Sequence, residues 1–464
     1  MSGGAAADGA SGAALPAIIL ACSFAFVVVQ LDVTIVNVAL PHIGAELRAG
    51  VGPLQWVVDA YTLGFAVFLL AAGVMGDRFG PRRIFLAGFA LFAVSSVACA
   101  LANSVLALDL ARAVQGVGAA LLVPSSLSII NAACAHDKRK LASAVGWWTA
   151  AGGVSIAAGP VVGGFLLAGA GWRSIFWVNV PICVVGFVLA QALVPRHHAH
   201  AGARGFDLPG QVLAVLALGA LIGSVIEGPA QGWGSAFVLA GLGCALAAGI
   251  GFVLVERRAA GPMLPLELFR NAGFSAAVLF GVLVNFTYYG VIFILSFYLQ
   301  KVRHYSPVDA GLAFLPLTGT FIISNIGSGA LSARVGLRTP MILGGLIGAA
   351  GYALLGAFGV SATASFLAML PGLALIPAGM GLAVPAMTTS ILGSVERRQA
   401  GVASAVLNTA RQVGGAMGVA VFGALVAAGS ATHVIAGIQA AMAISSAMLV
   451  AAALLARRYC ARPA

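Results

Sequence analysis

LPAIILACSFAFVVVQLDVTIVNVAL, residues 15–40, is an apolar run that holds one acidic side chain, Asp32. The hydrocarbon core of a bilayer is about 30 Å thick, and roughly 20 apolar residues in a helix cross it. This run is long enough to cross, and similar runs follow it along the chain with short polar breaks between them. The sequence therefore predicts successive transmembrane helices.

The composition of the 464 residues supports the same fold class. Hydrophobic residues make up 61% of the chain and charged residues 8%, whereas a soluble domain carries about 25% charged residues. A transmembrane β-barrel would need roughly ten-residue segments of alternating polarity, and the runs here do not alternate. We expect an all-α polytopic membrane protein with fourteen spans, at 15–40, 54–75, 84–103, 106–131, 141–168, 174–194, 208–227, 235–255, 273–299, 309–332, 340–359, 363–392, 400–428 and 433–456.

The basic residues predict the orientation of these spans. If both termini are cytoplasmic, eighteen of the 24 Lys and Arg residues lie on the cytoplasmic side, as the positive-inside rule requires. Four then lie outside: Arg48, Arg173, Lys301 and Arg303. The remaining two lie within spans: Arg112 and Arg411. The net charge of +11 therefore reflects topology, and we expect no binding to nucleic acid.

Two short repeats predict an internal duplication. GDRFGPR (76–82) is similar to SARVGLR (332–338), and LASAV (141–145) is similar to VASAV (402–406). Repeats at matching places in two halves are typical of transporters. We therefore expect a 6+2+6 arrangement in four segments: a disordered cytoplasmic tail (1–13), a six-helix bundle (14–195), a linker with an inserted helix pair (196–271) and a second six-helix bundle (272–464).

Asp32 and Arg112 are the candidate proton-coupling pair. A charged side chain at the centre of a span costs about 2.5–3.5 kcal/mol on insertion scales, so an embedded acid is by default a functional candidate. An arginine keeps its proton, so Arg112 near Asp32 would stabilise the ionised carboxylate. The alternatives are that Asp32 is permanently paired or hydrogen-bonded, and that Arg112 forms an interfacial pair with Asp109.

Further polar groups within spans are candidates for binding. Asp59, on a helix face with Gln55 and Thr62, is a second protonation site or a cation site, or it is shallow enough to see water. Glu227 ends its span and is expected at the surface. The candidate substrate cavity is formed by polar side chains that could equally join helices to one another: Asn37, Gln55, Asn285, Tyr289, Asn408 and Arg411.

Two glycine-rich stretches are candidates for conformational roles. The loop between the second and third spans fits a latch that holds one conformation, although its arginines also fix the topology: Gly73, Asp77, Arg78, Gly80 and Arg82. The fifth span carries small residues that allow close helix contact, either as a specific interface or as general packing: Gly146, Gly159, Pro160, Gly163 and Gly164.

The sequence shows no residue pattern typical of a metal site, an enzyme or a channel. The six cysteines stand singly, without metal-ligand spacing, and His197, His198 and His200 lie in a polar segment without partner ligands. We expect no metal and no disulfide. An enzyme would need convergent acid, base or nucleophilic groups, and a channel would need charged rings or a filter motif; neither is evident in the sequence.

These stretches resemble motifs of the major facilitator superfamily, and within it the fourteen-span drug:proton antiporters related to EmrB and QacA. The resemblance covers nearly the whole chain and rests on the loop 73–83, on the 146–164 segment, and on LDVTIVNVALP (31–41), RAVQGVG (112–118), WRSIFWVNVP (172–181) and LNTARQVGGAMG (407–418). It implies that Asp32 is the coupling acid and Arg112 the essential arginine. Ser155 stands where a glycine is usual, and Asp59 where a small neutral residue is expected.

The resemblance also implies a function. It predicts a monomeric multi-pass transporter in the cell membrane that exports small amphipathic drugs, antibiotics or other toxic compounds in exchange for protons, by alternating access to a central cavity. The proton gradient would drive it without a cofactor, and its partners would be the substrate, protons and membrane lipid. The alternative is an exporter or importer of one specific metabolite on the same fold.

Overall fold

The computed structural model describes residues 14–134, 138–195, 207–259, 262, 264–395, 400–427 and 431–460. Within these residues the regular structure is entirely helical. The helices are α1 (Ala14–Glu46), α2 (Val51–Phe79), α3 (Pro81–Ala100), α4 (Val105–Ala133), α5 (Lys138–Ala170), α6 (Ser174–Trp177), α7 (Asn179–Leu193), α8 (Leu208–Gln231), α9 (Ala236–Arg258), α10 (Ala272–Phe297), α11 (Pro307–Ala313), α12 (Leu315–Val335), α13 (Arg338–Leu354), α14 (Phe366–Gly393), α15 (Ala400–Val426) and α16 (Ala431–Tyr459).

The predicted apolar runs coincide with these helices. In the described residues thirteen helical segments are long and apolar enough to cross a membrane. The second predicted run forms α2, a helix of 29 residues that is not among the thirteen, so the count of fourteen remains a prediction. The tail 1–13 and the three histidines of the linker lie outside the described residues.

Local sequence sets several helix ends. Gly80, between α2 and α3, has a φ of 92°, a conformation that glycine adopts without the strain of a side chain. Serine hydroxyls at the N-termini of four helices accept a hydrogen bond from the backbone of the first turn, which satisfies a donor that the helix leaves free: Ser104, Ser235, Ser306 and Ser365.

Small residues allow the helices of the first half (14–195) to pack closely. α2 contacts α4, and α1 contacts α5 and α7. A Cβ at Gly116 of α4 would lie 2.9 Å from the Phe65 nitrogen of α2, and one at Gly118 would lie 3.0 Å from the Phe92 nitrogen of α3. In lipid, where burial of apolar surface drives little association, such close contact is a main source of packing energy.

The second half (272–464) uses the same principle. α10 packs on α15, and α13 packs on α14. A Cβ at Gly418 would lie 2.9 Å from the Phe286 Cα atom, and one at Gly379 would lie 2.9 Å from the Gly348 Cα atom. Both halves are therefore held by backbone contacts that a larger side chain would break.

Helices α8 and α9 pack on one another, and α8 also contacts α2 of the first half and α15 of the second. Ile222 and Ile226 of α8 share an apolar cluster with Ala416 and Ala420 of α15. Gln211 Nε2 of α8 donates a hydrogen bond to the Val67 carbonyl of α2 at 2.9 Å. Helix α8 therefore lies over the seam between the two halves, where α2 and α15 meet.

Candidate functional site

A buried ion pair lies at the centre of the first half. Arg112 Nη1 is 2.5 Å from Asp32 Oδ2, and the two side chains are 1% and 0% exposed. The other carboxylate oxygen, Oδ1, accepts hydrogen bonds from Gln115 Nε2 at 3.0 Å and from Asn179 Nδ2 at 2.7 Å. Three donors from α4 and α7 therefore surround Asp32 of α1, an arrangement that suits an ionised carboxylate.

The guanidinium of Arg112 makes further contacts besides its ion pair with Asp32. Its Nε donates to the Val57 carbonyl at 2.9 Å, and its Nη1 also donates to Gln115 Oε1 at 2.7 Å. The guanidinium carbon lies 4.3 Å from the ring centroid of Tyr61, a distance at which a cation interacts favourably with an aromatic face. The alternative pair with Asp109 is not formed in the described residues, where one Asp109 oxygen is buried without a hydrogen-bond partner.

The sequence did not predict the remaining members of this network. Gln115 Nε2 also donates to Ser96 Oγ of α3 at 2.8 Å, so four helices contribute to it. Asn179 opens α7, 147 residues after Asp32 in the chain. An amide within an apolar segment was the available signal, but no spacing in the sequence connects it to Asp32.

Asp59 differs from the shallow, hydrated position that the sequence allowed. Its side chain is 0% exposed, and neither carboxylate oxygen has a hydrogen-bond partner in the described residues. The helix α2 is covered here by α8 and α15, and that coverage excludes water. Its neighbour on the same face, Gln55, bridges the two halves, since its Nε2 lies 3.0 Å and 2.8 Å from the carbonyls of Val419 and Ala420.

A narrow internal cavity lies between the halves. Its free volume is about 10 Å³, room for about one water molecule. Two of the predicted cavity residues, Asn37 and Tyr289, line it; Gln55, Asn285, Asn408 and Arg411 do not. The full lining comes from α1, α2, α10 and α15: Val33, Asn37, Val58, Thr62, Tyr289, Gln412, Gly415 and Val419.

Asn285, Asn408 and Arg411, three more of the predicted cavity residues, lie in the second half. Asn285 Nδ2 donates to the Gly281 carbonyl at 2.7 Å, and Asn408 Nδ2 donates to the Ser404 carbonyl at 3.0 Å, each within its own helix. Arg411 Nε is 3.5 Å from Asn285 Oδ1. Arg411 and Asn285 therefore face one another across the α10–α15 interface.

Hydrogen bonds near a proline connect α1 to the second half of the protein. Pro41 lies inside α1, and because proline has no N–H, the carbonyl of Asn37 loses its helical donor. Ser296 Oγ of α10 donates to this carbonyl at 2.5 Å. One turn later, Gln300 Nε2 donates to the Val38 carbonyl at 2.9 Å. These contacts lie towards the outer ends of the helices, the ends predicted to face away from the cytoplasm.

The glycines of α5 contact different helices. A Cβ at Gly163 would lie 2.9 Å from Ile35 Cγ1 of α1, and Gly159 lies against Thr34 of the same helix. A Cβ at Gly164 would lie 2.6 Å from the Pro307 carbonyl oxygen of α11, in the second half. The predicted specific interface therefore has a structural counterpart at the outer end of α5, whereas Gly146 has no atom near its Cβ position.

Residues 73–83, predicted as a loop, form the end of α2, Gly80 and the start of α3, and their described contacts lie within the first half. Arg82 Nη2 donates to the Gln191 carbonyl of α7 at 2.6 Å, and Arg78 is exposed beside the ring of Phe79. Nothing lies within 4 Å of a Cβ at Gly73. The side chain of Asp77 lies outside the described residues, so the latch remains a prediction.

Curated proteins similar in sequence are named for drug resistance. The chain is 38% identical over 415 residues to the "Multidrug resistance protein Stp" of Mycobacterium tuberculosis (strain CDC 1551 / Oshkosh), covering 88% of this chain and 75% of that protein. It is 38% identical over 412 residues to the "Tetracenomycin C resistance and export protein" of Streptomyces glaucescens, with the same coverage. It is 36% identical over 405 residues to the "Methylenomycin A resistance protein" of Streptomyces coelicolor (strain ATCC BAA-471 / A3(2) / M145), covering 87% and 84%.

Solved transporter structures share the fold. A bacterial homologue of the human lysosomal transporter Spinster matches with a TM-score of 0.66 at 18% identity, over 98% of this chain and 100% of that one. A peptide transporter of the POT family matches with a TM-score of 0.67 at 17% identity, over 97% and 99%. The family model described as Major Facilitator Superfamily matches residues 22–206 and 201–419. This multi-pass cell-membrane protein is therefore a transporter that belongs to the major facilitator superfamily.

Proposed function

We propose that this transporter exports small amphipathic drugs or antibiotics from the cytoplasm in exchange for protons. The observation that carries the proposal is the buried Asp32–Arg112 pair at 2.5 Å, a membrane-embedded acid that can take up or release one proton. The names of the relatives, which refer to multidrug and antibiotic resistance and in one case to export, support drugs as the substrate class and outward as the direction.

Asp32 is the coupling group in this proposal. A proton on either carboxylate oxygen would remove the charge that holds Arg112 and would displace one of the three donors from α4 and α7. Both changes weaken the hold of α4 and α7 on α1. Proton binding from outside would therefore favour movement of α1, and proton release inside would restore the ion pair.

Alternating access would supply the transport step. The hydrogen bonds from Ser296 and Gln300 to α1, and the close approach of α5 and α11, join the halves near their outer ends. We infer that this arrangement is the state closed to the outside, with Asp32 ionised and ready for substrate from the cytoplasm. Opening outwards would break these contacts and expose the cavity that Asn37 and Tyr289 line.

The proposal includes fourteen spans with both termini in the cytoplasm, as in the drug:proton antiporters related to EmrB and QacA. Two six-helix halves would then move about the cavity, with α8 and α9 as the inserted pair. The contacts of α8 with α2 and α15 support a position beside the seam between these halves.

Asp59 is the proposed second proton site. An ionised carboxylate without donors is unfavourable in apolar surroundings, and neither oxygen of Asp59 has a partner in the described residues. A second proton at Asp59 would double the driving force that the membrane potential and the pH gradient supply for export of a neutral molecule. Each proton contributes about 2.3 kcal/mol per 100 mV of membrane potential.

Transport in everted membrane vesicles tests the function. In these vesicles export appears as uptake into the lumen, so an acid lumen should drive accumulation of a fluorescent dye or antibiotic in vesicles that contain the protein. The accumulated compound should leave when an ionophore collapses the gradient. Accumulation that is unaffected by the proton gradient would refute proton coupling, and a lack of transport across a broad drug panel would refute drug export.

A further inference from the structure

Arg411 is a cation without a carboxylate partner in the second half. It lies in the middle of α15 and is only partly buried, and its one described side-chain hydrogen bond is the long one to Asn285 at 3.5 Å. In the described residues Arg411 takes part in neither the ion pair of Asp32 with Arg112 nor that of Glu46 with Arg173. Because a charge within the membrane is costly without compensation, an anion would stabilise Arg411. No described residue of the protein provides one in this state.

The described helices of the second half offer Arg411 almost no acid, and Glu396, between α14 and α15 in the chain, lies outside the described residues. Helices α10 and α12 to α16 contain no Asp or Glu. The one acid of α11, Asp309, lies in the first turn of that helix and accepts a hydrogen bond from Ser306 at 2.6 Å. A cationic ligand would therefore meet no opposite charge on this side of the cavity.

Asp32 and Asp59, two embedded acids of the first half, form no ion pair with Arg411 in the described residues. Asp32 is already paired with Arg112. On α2, Ala66 lies opposite Thr409 of α15, and Gln55 lies opposite Val419, so Asp59 is at the level of about residue 416. At 1.5 Å of rise per residue, that level is about 7 Å along α15 from Arg411.

An aromatic surface adjoins this cation. The ring of Tyr289 packs on α15 at Gly415, where a Cβ would lie 3.0 Å from ring atom Cδ2. Tyr289 and Gln412, the residue after Arg411, both line the cavity between the halves. An apolar molecule against Tyr289 would therefore have its polar end within reach of the guanidinium once the cavity widens from its present volume of about 10 Å³.

We propose that Arg411 binds an acidic oxygen of the substrate, so that the transporter selects apolar molecules bearing a carboxylate or phenolate over equally apolar cations. This inference rests on the proposed export function and defines the substrate class of the same cavity. The planar guanidinium can donate two parallel hydrogen bonds to a carboxylate, and the ligand would supply the charge that α10 and α12 to α16 lack. A second positive charge at this site would be repelled instead.

Three probes with one apolar body test the charge preference. They are pyrenebutyrate, its neutral amide, and pyrenebutyl-trimethylammonium, measured by fluorescence titration of the purified full-length protein in lipid nanodiscs. The wild type should bind the anion more tightly than the amide, and the cation most weakly. Arg411→Gln should lower the ratio of anion to amide affinity about tenfold, equivalent to about 1.4 kcal/mol, whereas Arg411→Lys should retain most of the ratio.

A matched variant separates a local effect from general electrostatic attraction. Arg458→Gln removes a positive charge from the exposed end of α16 and should leave the ratio within about twofold, a factor worth about 0.4 kcal/mol. The proposal is overturned if the wild type prefers the cation, if Arg411→Gln leaves the ratio unchanged, or if both glutamine variants lower it equally. Binding requires no proton gradient, so failure of energised vesicles to transport any probe would refute the export function and leave the binding ratio as a separate result.

Discussion

Replacing Ser296 with alanine should open the outer side of the transporter. The hydroxyl of Ser296 donates to the Asn37 carbonyl at 2.5 Å, and this carbonyl has no helical donor because Pro41 stands four residues later. Ser296 Oγ also accepts a hydrogen bond from Gln300 Nε2 at 3.3 Å. The substitution therefore removes the main described contact of this carbonyl and weakens the neighbouring contact from Gln300 to Val38.

The magnitude follows from the carbonyl that is left behind. A buried acceptor without a partner costs about 1–3 kcal/mol, and that cost applies to the closed state because opening lets water reach the carbonyl. A difference of this size shifts a two-state equilibrium by about 5- to 150-fold. Ser296→Ala should therefore raise the ratio of outward-open to outward-closed molecules by a factor in this range.

Electron spin resonance measures this ratio directly. Spin labels on cysteines at Ala45 and Lys301, both exposed near the outer ends of α1 and α10, report the separation of the halves in a variant whose native cysteines are replaced. In lipid nanodiscs at neutral pH the substitution should increase the long-distance population. Ser275→Ala is the matched control, because that hydroxyl on the same helix donates to the Phe269 carbonyl, just before α10 in the chain, at 2.8 Å.

An unchanged distance distribution in Ser296→Ala would refute the reasoning, because the contact would then not hold the outer side closed. An equal increase in Ser275→Ala would also refute it. In that case loss of any hydroxyl from α10 would loosen the helix, without a specific role for the carbonyl that Pro41 leaves free.

Three further substitutions test separate parts of the account. Asn179→Ala removes one of the three donors to Asp32; since a hydrogen bond to a charged group contributes about 1.5–3 kcal/mol, proton-driven export in vesicles should fall by about tenfold or more. Gly164→Ala places a methyl group 2.6 Å from the α11 backbone and should reduce export severely, whereas Gly169→Ala on the same helix, with nothing within 4 Å, should not. Asp59→Asn should lower the number of protons exchanged per substrate, measured from the substrate gradient reached at a fixed proton gradient.

For each of these substitutions a different result would contradict the reasoning. Export at the wild-type rate in Asn179→Ala would mean that the third donor is dispensable for coupling. Similar losses in the two glycine variants would indicate a general sensitivity of α5 rather than a contact with α11. An unchanged final substrate gradient in Asp59→Asn would remove Asp59 from the proton cycle.

The helices could be predicted from the sequence because each span is a local feature. The run 15–40 is apolar apart from a few polar residues such as Asp32, and α1 begins at Ala14 as expected; it continues to Glu46 because Pro41 is accommodated by a donor from α10. That donor, Ser296, could not be predicted, since it lies 259 residues away and a serine in an apolar span carries no signal of its partner.

The charged residues of the site could be predicted from the sequence. An acid and an arginine within spans indicate compensation, and Asp32 and Arg112 indeed meet. The amide of Asn179 gives a weaker signal because amides within spans commonly serve packing as well as function. The burial of Asp59 could not be predicted because it depends on cover from α8 and α15, which are distant in the chain.

Transport by Asp32→Asn in proteoliposomes tests the central claim most directly. If proton exchange at Asp32 drives export, the variant should catalyse counterflow of substrate between the two sides but no accumulation under an imposed pH gradient. Counterflow also shows that the variant is folded, although it leaves Arg112 without its anion. Accumulation at the wild-type level under the same gradient would contradict the claim that Asp32 couples protons to export.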